Sequence, residues 1–140
     1  MDEPTVDRYM TPSPYTIGQD APLTAAHELM RAHSIRHLPV VDGAALVGLV
    51  SLGDLHLLET LDGVDPAEAT VREAMSDNPY TAAPKAPLRL VAAEMASRKI
   101  SSAVVVEDDR VVGIFTAVDG LRGLSQLLEN GLSRPPAQGP

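Results

Sequence analysis

This chain predicts an α/β (α+β) fold built as two tandem copies of one small unit, and three observations carry that expectation. A shift of 65 positions lays the segment starting at Thr5 over the segment starting at Thr70 without a gap, so that Thr, Val, Met, a Pro-Tyr-Thr triplet and an Ala-Pro-Leu triplet coincide. Within each copy, apolar residues recur first at helical spacing and then in short runs rich in Val and Ile. Apolar residues make up 44% of the 140-residue sequence but aromatics only 3%. The core must therefore be assembled from Val, Leu, Ile, Ala and Met, which suits helices packed on small sheets.

Each element follows in chain order. After Ala21-Pro22-Leu23, the positions Leu23, Ala26 and Met30 mark one face of a helix of about three turns, and Leu88, Val91 and Met95 repeat the pattern in the second copy. Two strands come next. HLPVVD and ALVGLVS flank a turn at Asp42-Gly43, and SAVVVED and VVGIFT flank one at Asp108-Asp109, both of hairpin type by residue content. A second helix closes each copy, LGDLHLLETL in the first and AVDGLRGLSQLLENGL in the second. Each starts at a hydroxyl placed three residues before a carboxylate, Ser51 with Asp54 in GLVSLGD and Thr116 with Asp119 in GIFTAVD. That spacing is a capping box, in which hydroxyl and acid satisfy each other's backbone N–H groups.

Between the copies, DGVDPAEAT reads as a linker, and Thr70 with Glu73 caps a further short helical turn. The organisation expected is repeat 1 over 1–62, repeat 2 over 63–130 and a disordered tail over 131–140, where SRPPAQGP has no periodicity. One copy of about 55 residues is a marginal domain alone. The two are therefore expected to bury their sheet faces against each other as one core with pseudo-two-fold symmetry, leaving clefts between them.

Several functions are disfavoured. A net charge of −8, one Phe and no Trp leave neither the basic patch nor the stacking platform that a nucleic acid needs. Without Cys there are no disulfides, thiolate metal sites or cysteine nucleophiles. No basic-then-apolar opening and no apolar run of about 18 residues are present, so a soluble cytoplasmic protein with no membrane partner is expected. Ser51, Asp54 and His56 stand close together, but Leu49 occupies the place where a hydrolase elbow needs glycine, so no enzyme is expected. His33 and His37 have helical metal-ligand spacing, yet His37 enters a strand, and no metal site is expected. His27 and His56 read as helix-surface residues.

Met-Thr-Pro at 10–12, Ile-Arg-His-Leu-Pro-Val-Val-Asp at 35–42 and the duplicated Gly-x-x-hydroxyl-x-x-Asp segments together resemble tandem CBS domains, named for cystathionine beta-synthase, whose paired repeats form a Bateman module. The resemblance covers residues 5 to about 125. It implies two β-α-β-β-α repeats and, in many members, an adenosine derivative such as AMP, ADP, ATP, NAD or S-adenosylmethionine held between them. Some members bind none detectably.

On that resemblance, Asp54 and Asp119 accept from ribose hydroxyls, and Ser51 and Thr116 hold phosphate at helix N-termini. Arg36 and His37 add cationic character to the first cleft, whereas Ser101 and Ser102 stand there in the second, so the first is expected to prefer more phosphate charge. Adenine walls come from Ala21, Ala26, Ile35 and Ile114 for one cleft, and from Ala86, Val91, Ile100 and Leu49 for the other. No cofactor is required; an adenosine nucleotide acts as regulatory ligand, with Mg²⁺ as an open companion. Leu-rich second helices imply a homodimer, and the output passes to an unknown effector protein in trans. A ligand-free pair acting as a dimerisation or protein-interaction module stays open as the alternative.

Overall fold

A computed structural model describes residues 3–133. The first repeat contains β1 (Thr11–Pro12), β2 (Ile17–Gly18), α1 (Leu23–His33), β3 (His37–Asp42), β4 (Ala45–Ser51) and α2 (Leu52–Glu59). The second contains α3 (Val71–Ala74), β5 (Thr81–Ala82), α4 (Leu88–Arg98), β6 (Ser102–Glu107), β7 (Arg110–Thr116) and α5 (Ala117–Ser133). The fold is thus mixed α+β with the β-α-β-β-α order in each copy. Of the expected tail, 131–133 belong to α5, and 134–140 lie outside the described residues.

Duplication extends to fine geometry. The equivalent helices α1 and α4 each end on a residue in the left-handed region, Ser34 and Lys99, which lets the chain turn out of the helix into a strand. Both hairpins carry a register shift at the same place, Val40/Val41 and Val105/Val106. The first hairpin turn falls at Gly43-Ala44, one residue later than the sequence predicts, because β3 keeps Asp42 paired with Ala45. In the second hairpin, Asp108 and Asp109 both take positive φ, the conformation that the tight twist of a two-residue loop demands.

Where the chain departs from its own repeat is in which segment completes which sheet. Strand order is β2-β3-β4 in one sheet and β1-β7-β6-β5 in the other, so β1 pairs antiparallel with β7 of the opposite repeat, Thr11 against Ile114. The equivalent residue of the second copy, Ser76, bridges back to Leu49 on β4. Backbone bonds repeat the exchange: Val6 N–H donates to Ala86 C=O at 2.9 Å, and Val71 N–H donates to Ala21 C=O at 2.8 Å. Each packing unit is therefore finished by the segment that opens the other repeat.

Packing corrects one expectation. Instead of one shared core there are two apolar clusters, each between a sheet and its helices. Ile17, Leu23, Leu38, Val40, Val50 and Leu55 form the first with the exchanged Val71. Val91, Met95, Ala103, Val105 and Phe115 form the second with the exchanged Val6. Val104 and Ile114, opposite each other on β6 and β7, are buried outside either cluster. Strand alternation puts them on the far face of their sheet, where β7 lies against β4. The sheets meet there, but helix faces build the cores.

Candidate functional site

The two hairpins bring the same four positions together. His37 pairs with Ser51 and Ser102 with Thr116, so the start of one strand lies beside the end of its neighbour, where the second helix begins. Leu52 N–H donates to Arg36 C=O, and Ala117 N–H donates to Ser101 C=O, each at 2.9 Å. Both helix starts are capped reciprocally. Asp54 N–H donates to Ser51 Oγ at 3.1 Å and Ser51 N–H donates to Asp54 Oδ2 at 2.9 Å. Asp119 N–H donates to Thr116 Oγ1 at 3.2 Å and Thr116 N–H donates to Asp119 Oδ2 at 3.0 Å.

Beyond the caps the two carboxylates differ. Asp119 is 5% exposed, and the Thr11 hydroxyl, delivered by β1, lies 3.1 Å from its Oδ1 and 3.3 Å from Oδ2. The Arg122 guanidinium stands 3.9 Å from Oδ1. Asp54 is half-buried, and its Oδ1 has no protein donor among the described residues. Ser76, the counterpart of Thr11, is exposed and leaves Asp54 alone.

At the start of α2 lies a cavity of about 340 Å³ lined by Arg36, His37, Ser51, Leu52, Gly53, His56 and, from the other repeat, Ser101, with Asp54 held next to it by its bonds to Ser51. His37 Nε2 and Ser101 Oγ, 3.1 Å apart, join the repeats across its floor. Burial holds the His37 imidazole below its ordinary pKa, the nearby Asp54 charge opposing that shift and Arg36 adding to it. Of the first-turn donors of α2, Leu52 N–H and Asp54 N–H are engaged. Gly53, which lines the cavity, therefore keeps an N–H that no helical carbonyl can satisfy. An orphan donor, a guanidinium and the positive end of a helix converge here, which together favour an anion.

Of the residues expected at a site, Ser51, Arg36, His37 and Ser101 line this cavity, with Asp54 bonded beside them. Thr116 and Asp119 form the closed counterpart with Thr11. Ala26 and Val91, at 0% and 2% exposure, belong to the helix-side clusters, which corrects their expected role as cleft walls: a small residue on the inward face of a helix packs its own sheet. Ala21 and Ala86 pack at the edges of those clusters, Ser102 and Ile114 are buried in their strands, Leu49 is half-buried beside Ser76, and Ile100 is exposed. Ile35 lines a second cavity described below rather than this one.

Two histidines expected on helix surfaces are found there, His56 exposed on α2 and His27 part-buried on α1. His56 lines the cleft, and His27 is held 2.6 Å from Glu59 with its ring 5.7 Å from that of His56. The signal for His56 lies in its spacing, four residues after Leu52 and so on the same helix face. His33, by contrast, ends α1 and stacks on Tyr15 at 3.7 Å while His37 opens β3. Among the described residues no group of three or more His, Asp or Glu is placed to hold a metal ion, and no helix is long and apolar enough to cross a membrane.

Comparison with known proteins bears on this geometry. The CBS domain matches the chain twice, over residues 6–57 and 71–126. Hypoxic response protein 1 of Mycobacterium tuberculosis is 31% identical over 111 residues, which is 79% of this chain and 78% of that protein. A protein assigned to acetoin utilization (AcuB) from Vibrio cholerae is 34% identical, with a TM-score of 0.85 over 96% of this chain and all of the other. The CBS domain pair of protein MJ0100, solved with 5′-methylthioadenosine and S-adenosyl-L-methionine, is 29% identical with a TM-score of 0.78, covering 89% of this chain and 98% of that one.

Proposed function

The chain belongs to the CBS domain family, and from that premise we propose that it is a non-catalytic regulatory module that binds an adenosine-type ligand between its repeats. One observation carries the reading: the open Oδ1 of Asp54 beside the capped start of α2 and a cavity of about 340 Å³. Ribose hydroxyls donate to Asp54, and a phosphate or other anionic group meets Gly53 N–H, Arg36 and His37. The adenosine ligands of the MJ0100 pair support the ligand class. AMP, ADP, ATP, NAD and S-adenosylmethionine are the candidates, with Mg²⁺ accompanying a polyphosphate.

Titrating these five by calorimetry and thermal shift tests the proposal. A ligand at 100 times its Kd stabilises the fold by about 2.7 kcal/mol. No heat and no shift at millimolar ligand overturns it.

A second reading, a ligand-free pair that works by association, draws on a different feature. Leu57 on α2 and Leu121 on α5 are 70% and 65% exposed, and Leu61, Leu124 and Leu128 are exposed as well. So much apolar surface near the two helices suits a homodimer or association with an effector protein in trans. Light scattering at micromolar concentration should give twice the chain mass; a strictly monomeric mass refutes the dimer.

A further inference from the structure

On the α1–α2 side of the same region lies a larger cavity, about 490 Å³, that shares Arg36, Leu52 and His56 with the inter-repeat cleft. Apart from the Ser34 hydroxyl, its polar lining is cationic or imidazole-bearing: Arg31, Arg36, His27 and His56, beside Met30, Ile35 and Leu52. Glu59, the carboxylate that touches this lining, is held by His27 at 2.6 Å. Arg72, Arg89, Arg98 and Arg122 each face a carboxylate. Arg31 and Arg36 have no such partner among the described residues, although the chain carries a net charge of −8. Two unpaired guanidiniums converging on one cavity in an acidic protein leave an electrostatic demand that an exogenous anion satisfies. The second repeat lacks the whole set, with Ala92, Ala96, Ser101 and Leu121 at the equivalent positions.

We propose that this pocket is a polyphosphate subsite. The phosphate chain of a nucleoside di- or triphosphate, its nucleoside in the inter-repeat cleft, runs past Arg36, and Arg31 and His56 hold the terminal phosphate. The inference rests on the nucleoside reading above and deepens it: the module distinguishes phosphate-chain length, and it does so in one repeat only. Arg36 is the pivot, since it lines both cavities, whereas Arg31 lines the outer one alone.

Calorimetry on the full chain with AMP, ADP, ATP and inorganic tripolyphosphate tests it, on the native protein, Arg31→Gln and Asp54→Ala. The expected result is ATP bound about tenfold more tightly than AMP, with Arg31→Gln removing that advantage and changing AMP affinity by less than about twofold. Arg31 is exposed, so an unchanged thermal melt accompanies the variant. Asp54→Ala should weaken AMP and ATP alike. If AMP binds through Asp54 but ATP binds no better, or if Arg31→Gln leaves the ATP preference intact, the subsite is overturned while the nucleoside cleft stands. If no nucleotide binds, tripolyphosphate binding that weakens in Arg31→Gln upholds the anion pocket and removes the nucleoside reading. Absence of tripolyphosphate binding in that case overturns both.

Discussion

Asp54 and Asp119 sit at equivalent positions of a duplicated sequence, cap equivalent helices, and differ in what else touches them. At Asp119 the exchanged β1 segment supplies the Thr11 hydroxyl and the carboxylate is buried. At Asp54 the counterpart segment supplies Ser76, which stays exposed and bonds β4 through its backbone alone. A duplicated backbone thus carries one saturated carboxylate and one with a spare acceptor. Charge follows the same division, since Arg31, Arg36, His27 and His56 all lie in the repeat that keeps the open acid. Duplication supplies two frames, and the side chains that fill them decide which is structural and which is free to bind.

Substituting the two acids breaks this comparison most sharply. Asp119→Ala should cost about 1–3 kcal/mol in urea denaturation, because it removes a cap and strands the Thr11 and Thr116 hydroxyls, with little change in nucleotide affinity. Asp54→Ala should cost about 0.5–2 kcal/mol through its cap alone while lowering adenosine-ligand affinity about tenfold or more. Equal effects of the two variants on affinity would make the sites equivalent and sink the contrast.

The paired glycines come next. A Cβ on Gly48 would meet Met75 Sδ and the Ser76 backbone oxygen, the latter at 2.7 Å, whereas a Cβ on Gly113 would meet only the flexible Met10 side chain. Gly48→Ala should therefore destabilise by about 1–3 kcal/mol, since a backbone cannot step aside. Gly113→Ala should cost less, as Met10 swings away. Denaturant midpoints of the two variants rank them directly.

A smaller effect probes the exchanged hydroxyl. Thr11→Val removes one donor to a buried carboxylate and should cost about 1 kcal/mol, while Ser76→Ala, on an exposed side chain, should stay within about 0.5 kcal/mol. If both variants melt together, the hydroxyl lock on Asp119 contributes nothing.

Least in size is the pH response of His37. Its folded pKa lies below the unfolded value of 6.5 because burial opposes the charge. The unfolded chain then binds more protons as pH falls through that value, so the ligand-free protein loses stability on acidification. A bound phosphate beside the imidazole offsets the cost of charging it, so nucleotide affinity should rise modestly from pH 8 to pH 6. His37→Gln should flatten both trends, followed by melts and titrations across that range.

Much of the frame was legible in the chain. Helical spacing at Leu23, Ala26 and Met30, the strands around both hairpin turns and the two capping boxes depend on contacts within a few residues, and they are where sequence places them. Ser51, Arg36 and His37 were legible as a group for the same reason, since strand register fixes the neighbours of a helix start, whereas Ser101, expected in the other cleft, lines this cavity too. That His27 and His56 meet was not legible, because their 5.7 Å ring contact exists only once α1 packs beside α2. Ala26 and Val91 were misassigned because a small apolar residue on a helix looks the same whether it faces a core or a cleft.

The sequence by itself determined the repeat, its elements and the two capped acids, since periodicity and capping are local and survive any arrangement of the copies. Only the tertiary structure decided that β1 crosses to β7 and that the segment opening the second repeat returns to β4 through Ser76. That exchange pairs Thr11 with Asp119, 108 positions apart, and leaves Asp54 with an open oxygen. The choice lies outside local pattern because it turns on which segment satisfies a distant sheet edge, and both segments carry the same Thr-Val and Met signature.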